Sequence, residues 1–359
     1  MSLFDFRRLE RFRTGGMGDR MQLSLPLPKS PKGRSQRYCP NVDCVPRRFQ
    51  MGGQPASQEI AADRSHLVRR LRDVVVTTCP YCGTDAADQE FIAPEDIENA
   101  KDVVKWSVRE DMSDWIEGLA RDFNRNAPRG GFISMSMETK RSLNPSPHAW
   151  REDLLRGLTC DACGRDYGVY AIALFCPDCG ARNVHVHFAR EVALVERQVV
   201  LAAMPVEEGD DELAFRLLGN AHEDVLTALE TYLRSVFLFL VRRRCTPEKV
   251  EQLISMARRG NPFQSVERAT DLFQRIGCDP FGVLSSEDSE ALRALIGKRH
   301  VIGHNLGLVD EKYLAAAGDG SPGENIRLLG EEVRLFAQLA FAVVVTGLEE
   351  AEAEFLPSK

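Results

Sequence analysis

The spacing of hydrophobic positions changes partway along the chain. From 210 to 243, Leu213, Leu217, Leu218, Val225, Leu226, Leu229, Leu233, Phe237 and Leu240 recur every three to four residues, the signature of a helix with one buried face. TPEKVEQLISMARRGN continues the pattern as a capped helix, with Thr246 at the N-cap, Pro247 at the first helical position and Gly260 just past the end. VERATDLFQRIGC predicts another helix stopping at Gly277, SEDSEALRALIGKRHVIGHN one that starts at a serine cap, and ENIRLLGEEVRLFAQLAFAVVVTGLEEAEAEF the last. Several helices without strands predict an up-and-down bundle over 205–359.

Upstream the texture is mixed. PEDIENAKDVVKWSVREDMSDWIEGLARDFN, from 94 to 124, predicts one or two helices, with Pro94 and acidic residues in the first turn. SQEIAADRSHLVRRLRD, from 57 to 73, predicts a helix, and 125–147 a loop with a short strand. YGVYAIALF, NVHVHFARE and EVALVERQVVLA read as strands. On that reading His185 and His187 share one strand face at the surface.

Composition narrows the class. A hydrophobic fraction of 43% and a charged fraction of 28% are ordinary for a soluble chain, and 359 residues are enough for two or three domains. The net charge of −7 argues against a general nucleic-acid coat but leaves room for a local basic groove. Residues 1–36, basic and carrying Pro26, Pro28 and Pro31, predict a disordered tail. The start MSLFDFRRLERFR lacks a secretory apolar core, and the longest apolar run, 335–348, is broken by Gln338, Thr346 and Gly347. A cytoplasmic protein with no membrane partner is the expectation.

Eight of the 10 cysteines fall in four short pairs, which in a long chain of this type favours metal over disulfides. Cys160 and Cys163 in CDACG, and Cys176 and Cys179 in CPDCG, have the spacing of two metal knuckles. A glycine after each second cysteine lets the backbone turn back under the ion. Cys39 and Cys44 form a longer C-x4-C, and Cys79 and Cys82 a third C-x2-C-G. Two closed sets of four thiolates predict two structural Zn2+ ions. The 150–190 segment, with NVHVHFARE after its second knuckle, resembles the zinc-ribbon family.

The remaining chemistry lies in LIGKRHVIGHNLGLVDEKYL. Arg299, His300, His304 and Asn305 fall within one and a half turns, and His300 and His304 share a face. Arg299 and His304 are about 140° apart on an ideal helix, so they converge only if the helix ends, bends or widens near Gly303. His222 reads as a surface residue, Glu230 as a candidate acidic partner for Arg299, and Arg242–Arg243–Arg244 as either a groove lining or cations at a helix end. There is no GxxxxGK[ST] phosphate loop and no HExxH glutamate.

Arg299-x4-His304, the continuation NLGLVDEKYL and the upstream HEDVLTALETYLRSVF together resemble the HEPN family of all-helical proteins, many of them ribonucleases, over 207–355. The resemblance implies a metal-independent endoribonuclease in which Arg299 binds phosphate, His304 transfers a proton, and His300 and Asn305 orient phosphate or ribose. It also implies RNA as substrate, a homodimer through the helical domain, and a toxin–antitoxin or antiviral role with an antitoxin or other protein partner. The alternative is a non-catalytic protein- or nucleic-acid-binding scaffold with a dimerising HEPN-like domain. The expected fold is α+β and multidomain: the tail 1–36, a first four-cysteine zinc module 37–93, a helical segment and linker 94–149, a zinc ribbon 150–204 and an HEPN-like bundle 205–359.

Overall fold

A computed structural model describes residues 7–16, 20–25, 29–53, 76–127, 135–140, 155–207, 209–304, 307–315 and 320–347. The helix predicted at 57–73 and most of the 125–147 loop lie outside these residues. So does Asn305, and the side chains of His300 and His304 are likewise not described.

The stretch expected to be a disordered tail contains ordered structure. A helical turn α1 (Arg7–Glu10) is followed by a two-stranded ribbon, β1 (Arg13–Gly15) and β2 (Gln22–Leu23). Long-range ion pairs hold this region: Arg8 binds Asp111 and Asp114, and Arg34 grips both carboxylate oxygens of Asp166 at 2.7 and 2.6 Å. A disordered-tail reading rests on low apolar content; here the arginines find buried or half-buried carboxylates far along the chain.

The two cysteine-bearing stretches form one unit. β3 (Ser35–Tyr38) and β4 (Arg48–Met51) come from the first, while β7 (Arg156–Thr159) and β8 (Asp166–Val169) come from the second. They make a single antiparallel sheet of order β3-β4-β8-β7, with Phe49 opposite Val169 and Met51 opposite Tyr167. The pairing of β4 with β8 crosses the boundary that the sequence placed between two modules. A hairpin of β5 (Val76–Thr78) and β6 (Asp85–Ala87) sits beside it, followed by a 3-10 turn at Asp88–Phe91. Phe49, Tyr81 and Phe91 stack edge-on at 5.8–6.4 Å and fill the space under the sheet. The intervening α2 (Pro94–Asn126) is one unbroken helix.

The segment read as strands over 184–202 is a helix, α3 (Val184–Glu207). Residues i and i+4 face the same way in a strand and in a helix, so Val184 and Phe188 fit both. Val195, Val199 and Ala202 decide it, because all five are buried and only helical spacing puts them on one side. His185 and His187 are therefore helix residues. His185 pairs with Asp161, whereas His187 is 1% exposed and belongs to the interior.

α3 packs on α4 (Asp211–Arg244), which Asp210 caps by accepting from Leu213 N–H. α5 (Pro247–Arg258), α6 (Val266–Gln274), α7 (Ser286–His304), the short α8 (Glu311–Ala315) and α9 (Gly330–Val345) complete the helical half. Ser285 caps α7 and Ser265 caps α6. The last helix begins at Gly330 rather than near Glu324, because 320–329 runs back as irregular chain beside 307–309. The core joins α3, α4, α6, α7 and α9, with Phe237, Phe263 and Phe273 at its centre. No helix among the described residues is long and apolar enough to cross a membrane.

Candidate metal centres and the arginine of the helical half

Three of the four cysteine pairs fold into the same turn. The first cysteine's carbonyl accepts from the glycine N–H four residues on, at 3.0 Å for Cys79–Gly83, 2.8 Å for Cys160–Gly164 and 3.0 Å for Cys176–Gly180. The cysteine's own N–H reaches one residue further, to Thr84, Arg165 or Ala181, at 2.8–2.9 Å. Gly83, Gly164 and Gly180 have φ of 70°, 70° and 69°, values a side chain would strain. The fourth pair has no such glycine. Arg47 closes its loop instead, donating from Nε to Cys39 O at 2.8 Å and from Nη2 to Pro40 O at 3.1 Å, with its guanidinium 4.3 Å over the Tyr38 ring.

These turns bring together Cys39, Cys44, Cys79 and Cys82 in one set and Cys160, Cys163, Cys176 and Cys179 in the other. The close sulfur pairs are 3.7 Å (Cys39–Cys82), 3.6 Å (Cys44–Cys79), 3.7 Å (Cys160–Cys179) and 3.7 Å (Cys163–Cys176). Four sulfurs at tetrahedral corners about 2.3 Å from a zinc ion lie about 3.8 Å apart, so both sets fit zinc. Donors aimed at the sulfurs add to the fit. Asp178 N–H approaches Cys176 Sγ at 3.4 Å, and Asn41 Nδ2 approaches Cys82 Sγ at 3.8 Å. Burial pushes the Cys79 and Cys176 thiols well up, while contact with neighbouring sulfurs, Cys39 foremost, holds Cys82 well down. Such a set cannot carry several negative charges without a cation among them.

The two sets are neighbours. Thr78 N–H donates to Pro177 O, and Leu174 N–H to Pro80 O, at 2.9 and 2.7 Å, so one knuckle rests on the other. The second set also anchors the helical half. Phe175, next to Cys176, meets Phe239 of α4 edge-on at 5.3 Å. His187 accepts from Ala173 N–H through Nδ1 at 3.1 Å, which puts its proton on Nε2, 3.6 Å from Glu191.

In the helical half, α4 and α7 approach closely at Gly219, where a Cβ would lie 3.1 Å from Ile302. One turn further along α4, Glu223 accepts from Arg299 Nε at 2.7 Å and from Nη2 at 2.9 Å. The acidic partner of Arg299 is thus Glu223 rather than Glu230. Seven residues separate the two, so they share a face of α4, and Glu230 is engaged by Arg234 and Gln264. The Glu223 carboxylate raises the Arg299 pKa further. His222 is not at the surface but 1% exposed, its ring 4.8 Å from Phe336, and burial pushes it down to about 4. Lys298 is buried with its ammonium 2.5 Å from Glu332. Arg244 binds the carbonyl of Ile276 at 2.8 Å, and Arg242 and Arg243 stay exposed.

α7 ends at His304, one turn beyond Arg299, and Gly307 N–H closes back on Val301 O at 3.0 Å. Val301, Val309, Tyr313 and Ile326 form a small separate core under the loop that follows. Neither Glu223 nor the buried Lys298–Glu332 pair stood out in the sequence, although the heptad relation of Glu223 to Glu230 marked the correct helix face. Compared with known proteins, the chain matches no family model, no curated protein and no solved structure.

Proposed function

We propose that each four-cysteine set holds one structural zinc ion and that the helical half is a metal-independent endoribonuclease acting on RNA at the end of α7. RNA carries its own nucleophile. The 2′-OH attacks phosphorus, its proton passes to a base, the 5′ oxygen leaves with a proton, and a 2′,3′-cyclic phosphate remains. Arg299 would hold the phosphate, His304 would move the proton, and His300 and Asn305 would orient phosphate or ribose. The observation that supports this is the state of Arg299. Its side chain is 27% exposed at a helix end, and the bidentate grip of Glu223 fixes its plane. The Glu223 side chain is itself 41% exposed, so an incoming phosphate meets the pair at the surface.

A second reading, the non-catalytic binding scaffold, is favoured by the same pair, since a neutralised arginine is also what a purely structural ion pair presents. RNA cleavage by purified protein in Mg2+-free buffer separates them. The nuclease reading expects cyclic phosphate ends from wild type, and no cleavage from folded Arg299→Ala or His304→Ala. Undiminished cleavage by His304→Ala, or none by wild type on varied RNAs, leaves the scaffold.

A further inference from the structure

The loop of the first cysteine set and the last turns of α4 line a shared cleft of about 210 Å3. The loop contributes Val45 and Pro46, α4 contributes Leu238 and Phe239, and Ile172 comes from the chain between the two halves. Val45 is 88% exposed although it adjoins the buried Cys44. The volume lies below the about 300–1,000 Å3 of pockets that take a whole drug-sized ligand. It admits one flat ring system rather than a helix.

The cleft is positive. Arg242 and Arg243 line it and are both exposed, and among the described residues no carboxylate lines it. The Arg243 guanidinium lies 5.4 Å from the centre of the Phe239 ring. A helix end attracts cations in any case. Here Arg244 is drawn into the fold, donating to the carbonyls of Ile276 and Gly277 at 2.8 and 3.4 Å, while its two neighbours stand at the cleft. In a chain of net charge −7, two arginines without a carboxylate beside them make a local anion site.

The polar side chains of the lining are already engaged. Asn41 donates to Thr84 Oγ1 at 3.5 Å and accepts from Asp43 N–H at 3.0 Å. Tyr81 donates to Arg48 O at 2.7 Å and accepts from Tyr170 N–H at 3.0 Å, and Ser235 donates to Thr231 O at 2.8 Å. An acidic peptide needs donors and acceptors for its own backbone, and these side chains offer it few. A nucleobase needs only apolar surface against its faces, and its strand brings phosphate to the arginines.

We propose that this cleft binds single-stranded RNA: one base enters between Val45–Pro46 and Leu238–Phe239, and the flanking phosphates rest on Arg242 and Arg243. The choice of RNA rests on the ribonuclease reading. The cleft adds to that reading a second contact, about 28 Å along α4 from Glu223, the partner of Arg299, at 1.5 Å per residue.

Fluorescence anisotropy of the full chain with a labelled 2′-O-methyl oligouridine of about 12 nucleotides tests it. The probe has no free 2′-OH, so binding is read without cleavage. Wild type is expected to bind. Arg242→Ala with Arg243→Ala is expected to bind about tenfold more weakly, with a salt slope smaller by about 1. Val45→Asp, at an exposed position, is expected to weaken binding about as much. Arg258→Ala with Arg259→Ala removes the same charge from exposed positions outside the cleft lining and is expected to change little. No binding by wild type, equal loss in the two arginine pairs, or a folded Arg242/Arg243 variant that binds as wild type does would each overturn the proposal. So would displacement of the probe by oligoglutamate or uridine monophosphate as readily as by unlabelled strand. Binding through these arginines by a protein that cuts no RNA upholds the cleft and sinks the nuclease. RNA cleavage by a protein whose binding ignores Arg242 and Arg243 does the reverse.

Discussion

The sheet half and the helical half are built from different materials. In the sheet half the strands are two to four residues long and the core consists largely of cysteine sulfur and four aromatic rings: Phe49, Tyr81, Phe91 and Tyr167. In the helical half, long helices bury a continuous aliphatic and aromatic core. Short strands cannot remove enough apolar surface from water to offset the entropy of ordering their loops, and the proposed zinc ions at the turns would supply the rest. Long helices carry that burial themselves. The seam is at 172–188, where Ile172, Leu174 and Phe175 leave the sheet half beside Cys176 and enter the helical core.

The strongest way to break this contrast is to remove metal. Stripping zinc with a chelator, or Cys160→Ser, is expected to cost the sheet half on the order of 10 kcal/mol. Hydrogen exchange should then accelerate in β3, β4, β7 and β8 and leave the centre of α4 protected. Equal loss in both halves would show that they are one cooperative unit. The converse change is Phe237→Ala, which opens the ring cluster with Phe263 and Phe273. It is expected to cost about 3–5 kcal/mol in denaturant unfolding monitored in the helical half, without releasing zinc.

Acid sharpens the comparison further. His222 faces Glu223 of its own helix, Lys298 of α7 and Glu332 of α9, and burial holds it near 4. The unfolded chain, with an ordinary value near 6.5, takes up the proton first as pH falls. Stability from this group is therefore complete above about 6.5 and is lost between there and about 4, by about 3 kcal/mol. His222→Phe, stacked on Phe336, should flatten that part of the helical half's pH profile and leave acid release of zinc unchanged. A variant with the wild-type slope would remove His222 from the account. The smallest expected effect is at Arg34, buried with its guanidinium on Asp166. Arg34→Ala should cost about 2 kcal/mol, confined to the sheet half.

Local chemistry explains what could be read in advance. The three CxxCG turns follow from ligand spacing and a glycine that tolerates positive φ, both properties of five consecutive residues. Pro247 at a helix start, with Gly260 at φ 65° after its end, is equally local. α3 looks like a strand in sequence because VHVHF alternates as a strand does, and only the burial of Val195, Val199 and Ala202 settles its period. Glu223 and Glu230 are indistinguishable along one helix face until the approach of α7 at Gly219 selects the first.

The cysteine turns, the helix caps and the long apolar faces are legible in the residues alone, because each depends on groups a few residues apart. Tertiary structure alone decided that β4 pairs with β8 to merge the two cysteine stretches, that Arg299 meets Glu223, and that α2 shows its apolar side to solvent. Those outcomes depend on which distant surfaces pack together. Such packing is a sum of many weak contacts across the chain, and no short stretch of residues encodes it.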